Sequence, residues 1–168
     1  MPTLAARELP GTWQAPPTRG RCTFRPVRSQ AAPCYRTRYL EDHVAADNKQ
    51  IIRDFCAAWA RRDIDELLAF FTPDAVYHNM PLEPLRGIDA IRETVGMFMT
   101  PAEHIEFELL AIAATGDVVF TERVDRFTIM GKTVTLPVAG VFEVRAGKIA
   151  AWRDYFDMQT WLKQTSPS

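Results

Sequence analysis

Two periodicities divide this chain. Between Ile51 and Phe98 apolar residues recur every three or four positions, and beyond His104 they recur every second position. Ile51, Ile52, Phe55 and Trp59 predict a first helix. Asp63 opens a capping box with Glu66, in which each side chain can satisfy the other residue's free backbone N–H. The short helix that follows is expected to carry Ile64, Leu67, Leu68 and Phe71 on one face and to end at Thr72-Pro73-Asp74. AVYHNM (75–80) reads as a short strand. Gly87 then opens a third helix with Ile88, Ile91, Val95 and Phe98 inward, and Pro101 closes it.

Four long strands follow: HIEFELLAIAA, VVFTERVDRFTIM, KTVTLPVAGVFEVR and KIAAWRDYF. Turn signals at Thr115-Gly116, Gly131-Lys132 and Gly147 separate them, and MQTWLKQ makes a last helix. Helices first and an antiparallel meander afterwards predict an α+β fold with a curved mixed or antiparallel sheet. If the sheet curls, it wraps the helices as a cone with a pocket inside.

Composition changes this picture mainly at the beginning of the chain. Residues 1–40 hold seven Arg against one acidic residue, and six of the twelve prolines fall by position 33. Residues 1–46 are therefore expected to be a Pro/Arg-rich disordered extension, with a basic arm or transit peptide as the alternative. Residues 47–168 form the domain. The net charge of -1 makes no whole-molecule case for nucleic acid or a membrane surface. No apolar run approaches the roughly 20 residues of a membrane span. Cys22, Cys34 and Cys56 have no disulfide or zinc spacing, and His43, His78 and His104 are scattered. The expectation is a cytoplasmic protein without metal or cofactor.

Three strands carry polar residues on the face they should bury. Arg123 and Asp125 share a face with Val119, Phe127 and Ile129. Tyr77 and Asn79 share a face, and Asp154 lies between Trp152 and Phe156 on another. Each alone is ordinary on a solvated face or at a strand end. Together they are not, because a buried unpaired carboxylate costs several kcal/mol or more. An arginine between two carboxylates compensates them, since its planar fork can donate to both. Two nearby carboxylates can divide into an ionised base and a protonated acid. No G-x-S-x-G elbow is present, and Cys56 has no evident histidine partner. General acid–base work on a small, mostly apolar substrate is what these residues point to.

YHNMPLEP (77–84), FTERVD (120–125) and GVFEVRAGKIAAWRDYFD (140–157), in that order, resemble the limonene-1,2-epoxide hydrolase family over about residues 48–160. The resemblance implies the cone fold of nuclear transport factor 2 and ketosteroid isomerase. It implies addition of water to an apolar epoxide in one step, giving a vicinal diol without a covalent intermediate. It casts Asp154 as general base, Tyr77 and Asn79 as holders of the water, Asp125 as the acid and Arg123 as the bridge between the aspartates. Cys56, Trp59, Phe98, Phe127, Leu136, Val138 and Phe156 would line the pocket. Aromatic residues among them turn the expected substrate toward cyclic or aryl epoxides. Members of the family usually pair as homodimers through their sheets. Rival uses of this fold are a ketosteroid-isomerase-like or polyketide-cyclase-like enzyme, which leaves Arg123 without a role, and a small-ligand binding module.

Overall fold

The computed structural model describes residues 47–166, so the extension expected over residues 1–46 lies outside the described residues. Helix α1 covers residues 47–58 and passes into a 3₁₀ turn at Trp59–Arg61. It is followed by α2 (Ile64–Leu68), β1 (Phe71–Asn79), β2 (Leu85–Arg86) and α3 (Ile88–Met99). Four long strands come next: β3 (Ala102–Thr115), β4 (Val118–Ile129), β5 (Lys132–Arg145) and β6 (Lys148–Tyr155). Helix α4 (Met158–Thr165) closes the described chain. No helix among the described residues is long and apolar enough to cross a membrane.

The expected meander forms one sheet with strand order β2-β1-β6-β5-β4-β3. Strands β3 to β6 are antiparallel neighbours, whereas β1 runs parallel to β6. Alternation sets the faces. Along β5, Val134, Leu136, Val138, Gly140, Phe142 and Val144 are all buried, and the residues between them are exposed or half-buried. Helix α1 presses Ile52, Phe55 and Cys56 into the core, and the turn after it adds Trp59. Phe55 makes edge-on contacts with Phe71, Phe142 and Trp152, at centroid distances of 5.5, 5.9 and 5.1 Å.

Two local expectations change. Helix α2 stops at Leu68, and Phe71 with Thr72-Pro73-Asp74 belongs to β1 instead of the helix. The register of β1 against β6 shifts between Phe71 and Val76, so Pro73 falls where no ladder N–H is needed. Phe71 is buried against Phe55, so its apolar side chain gave no way to choose between helix and strand. The capping box is half formed. Asp63 accepts the Glu66 N–H at 3.0 Å, but the Glu66 carboxylate pairs with Arg61. The two-residue β2 is too short to show any alternation.

Helix α4 is tied back to the sheet. Asp157 caps it by accepting the N–H groups of Gln159 and Thr160. Gln164 accepts from the Thr135 N–H and donates to the Thr135 carbonyl, both at 2.9 Å. Trp161 thereby packs edge-on against Phe98 of α3 and Phe127 of β4, 5.9 Å from each.

Candidate active site

Strand pairing brings the inward polar residues together. Asn79 on β1 lies beside Asp154 on β6, which lies beside Gly140 on β5, beside Thr121 on β4. One row away, Tyr77, Trp152, Phe142 and Val119 follow the same path. Arg123 and Asp125 sit further along β4, opposite Val138 and Leu136. Arg123 is 1% exposed, and Asp125 and Asp154 are each 4% exposed.

The Arg123 guanidinium joins the two acids. Its Nε and Nη2 donate to the two Asp125 oxygens at 2.7 and 3.2 Å, and Nη2 also donates to Asp154 Oδ2. Nη1 donates to Thr121 Oγ1 at 3.4 Å. The rings of Phe107 and Trp152 flank the cation, 4.9 and 5.7 Å from its carbon. The other oxygen of Asp154 accepts the Trp152 indole N–H at 2.6 Å. Trp152 in turn stacks on Tyr77, centroids 4.1 Å apart, and the Tyr77 hydroxyl donates to Asn79 Oδ1 at 3.0 Å.

Burial governs the titration of this group. It pushes Asp125 up to about 7, although Arg123 opposes it. It raises Asp154 as well, against Arg123 and the Trp152 N–H. Burial pulls Arg123 down, but the two aspartates outweigh this and hold it firmly protonated. Tyr77 is held neutral by burial, with Asp154 adding to the effect. Two acids share one fixed cation, so one proton kept between the acids brings the group to neutrality.

A cavity with about 540 Å³ of empty space, its open mouth included, lies against this network. Asp125, Tyr77 and Asn79 are on its wall. Trp59, Phe98, Phe127, Leu136, Val138 and Phe156 line it too. Arg123 and Asp154 are not on that wall; they are buried behind it. Cys56 is a correction. It is buried in the core within electrostatic reach of Arg123, Asp125 and Asp154, and burial pushes its thiol up to about 12. Trp59, three residues on and much larger, is the side chain from this stretch that reaches the cavity.

Four wall residues were missed: Leu82, Phe107, Met158 and Trp161. Phe107 was legible, since it alternates in phase with the buried Ile105. Trp161 carried the signal of an aromatic on a short amphipathic helix. Leu82 lies beyond β1, where no periodicity applies.

Comparison with known proteins agrees with this architecture. The family model "Limonene-1,2-epoxide hydrolase catalytic domain" matches residues 46–167. Epoxide hydrolase EphG of Mycobacterium tuberculosis is 35% identical over 114 residues, covering 67% of this chain and 74% of that protein. The solved structure of an M. tuberculosis LEH-like epoxide hydrolase superposes with a TM-score of 0.65 at 31% identity, over 71% of this chain and 90% of that one. An NTF2-like protein of unknown function from Burkholderia pseudomallei superposes with a TM-score of 0.65 at 20% identity, over 72% of this chain and 98% of that one, a likeness of fold alone. With the family model spanning the whole described domain, the chain belongs to the limonene-1,2-epoxide hydrolase family.

Proposed function

We propose that this protein adds water to a cyclic or aryl epoxide in one general acid–base step. One observation carries the reading: a buried carboxyl group on the wall of an apolar cavity, Asp125, is linked through Arg123 to a second buried carboxyl group, and burial pushes it up to about 7. In this reading Asp154 takes a proton from a water held by Tyr77 and Asn79. The water oxygen attacks an epoxide carbon as the C–O bond of the ring breaks. Asp125 gives its proton to the leaving oxygen, and a vicinal diol results. Exchange with solvent then returns the proton from Asp154 to Asp125. Arg123 stays charged throughout and keeps either acid soluble in the core when ionised. Ring strain means the bond needs only a positioned nucleophile and an acid, each proton transfer contributing ~10²–10⁴-fold.

A single turnover in 18O-water tests this. Label is expected in the diol of the first turnover, and unlabelled diol would show that an enzyme oxygen attacks instead. We further propose a homodimer through the outer sheet face, where Leu110, Phe120 and Tyr155 are exposed. Sedimentation showing a monomer at micromolar concentration would end that part.

A further inference from the structure

Arg123 and Asp154 project from strands that are not neighbours. β5 lies between β4 and β6, so the guanidinium must reach over β5 across roughly 10 Å, two strand spacings. Each inward position of β5 from Val134 to Val144 carries an apolar side chain except one. That one is Gly140, which pairs with Asp154 on one side and Thr121 on the other.

We infer that Gly140 is a positioning residue: its missing side chain is the passage through which the Arg123 guanidinium reaches both aspartates. A Cβ at 140 would stand 2.5 Å from Thr121 Oγ1 and 2.9 Å from the Phe142 ring, and closer still to Arg123 Nη1. Thr121 and Phe142 are themselves buried, with Thr121 Oγ1 hydrogen-bonded to Arg123 Nη1, so they would have to shift as well. The guanidinium cannot yield freely. Asp125 holds it at two points, Asp154 at a third, and Phe107 and Trp152 flank it. Restoring ordinary carbon–nitrogen contact, about 3.5 Å, would displace it by about 1 Å. Gly140 has no positive φ, so backbone freedom is not the reason for glycine here. Absence of a side chain is.

The inference rests on the proposed roles of Arg123 and the two aspartates. A displacement of that size in a catalytic constellation costs ~10²-fold in rate. Gly140→Ala is therefore expected to lower kcat by that factor. KM should hardly move, because Gly140 is not on the cavity wall. Both limbs of the kcat–pH profile should move to higher pH, since Arg123 holds Asp125 and Asp154 down from where burial alone would put them. A merely structural defect would lower the amplitude and leave the limbs in place.

The test measures Gly140→Ala, Arg123→Lys, their double variant and Asp154→Asn. Each is checked by circular dichroism, by kcat against pH, and by NMR of slowly exchanging arginine Nε–H resonances. The Nε–H signal lost in Arg123→Lys identifies Arg123, and Gly140→Ala should shift it. In the Arg123→Lys background the added methyl should cost little further stability or activity, which keeps the comparison usable if the single variant folds poorly. An unmoved Arg123 resonance in Gly140→Ala overturns the inference whatever the activity. So does a shifted resonance with wild-type kcat while Asp154→Asn is inactive, because the hydrolytic reading then stands and only the positioning role falls. Full activity of Asp154→Asn would sink both together.

Discussion

Replacing Trp152 with Phe isolates one interaction of the proposed base. The indole N–H is a donor only, and it meets Asp154 Oδ1 at 2.6 Å. Phenylalanine removes that donor while keeping an aromatic face for Tyr77 at 4.1 Å and for Phe142 at 5.8 Å. A hydrogen bond to a charged group contributes about 1.5–3 kcal/mol. It acts on the ionised form of Asp154, so its loss raises the Asp154 pKa further. A base must be ionised to work. The acid limb of kcat should therefore move to higher pH, and below it a loss of about 1.5–3 kcal/mol should cost roughly 10–100-fold in activity. Diol formation followed across pH with saturating epoxide reads this directly. The smaller ring also leaves a void, so the melting temperature should fall, but a void by itself does not move a titration. A Trp152→Phe enzyme that is folded, slower and unchanged in its acid limb would refute Asp154 as the titrating base.

The remaining expectations concern the two acids and the wall. Asp154→Asn should lower kcat ~10²–10⁴-fold, while KM stays close to wild type because Asp154 is behind the wall. Its amide can accept from Trp152 or from Arg123 but not both, so urea unfolding should show a loss of about 1–3 kcal/mol from the donor left unpaired. Asp125, raised to about 7 when folded, keeps its proton at pH values where the unfolded chain, near 3.9, has lost it. Its contribution is thus full below about pH 4 and lost as pH rises through 7. Unfolding measured at pH 5 and 7.5 should show stability falling with pH, by roughly 4 kcal/mol at most over the full window, and Asp125→Asn should flatten that slope. Trp161→Ala should raise KM for aryl epoxides more than for small linear ones, since Trp161 closes the wall with Phe98 and Phe127. Equal effects across a substrate panel would argue against an aromatic-binding wall.

Much of this site could be read before any coordinates because strand alternation fixes faces. Once Val119 and Phe127 are inward, Thr121, Arg123 and Asp125 must be inward too, and all are buried. The same rule places Asp154 with Trp152. Helices give weaker constraint. A helical face spans an arc, so Cys56 and Trp59 both read as inward, and only packing decides that one reaches the cavity while the other is sealed in the core. Depth is also invisible to alternation: Asp125 and Asp154 are equally buried, yet only Asp125 is on the wall. Phe71 is ambiguous in sequence because a helix and a bulged strand end can bury the same ring. Gly140 is not legible from alternation, because a residue without a side chain looks like a gap in a pattern. Its meaning appears only when the strand order shows an arginine reaching across it.

The network is a poor way to hold a sheet together, and that bears on why it exists. Buried ion pairs often give no more stability than apolar residues of similar volume, because desolvation offsets the attraction. Here Leu136, Val138, Phe142 and Phe127 already supply an apolar surround in which aliphatic residues at 123, 125 and 154 could pack. The charge count sharpens the point. A paired structural bridge would need one acid for one arginine, and this core has two. Burial, with the second acid adding to it, raises Asp125 to about 7 and so keeps a proton there near neutral pH, which a packed core has no use for. A carboxyl group raised to about 7 on an apolar wall, joined through one guanidinium to a second buried acid, suits the proposed acid–base step better than it suits packing.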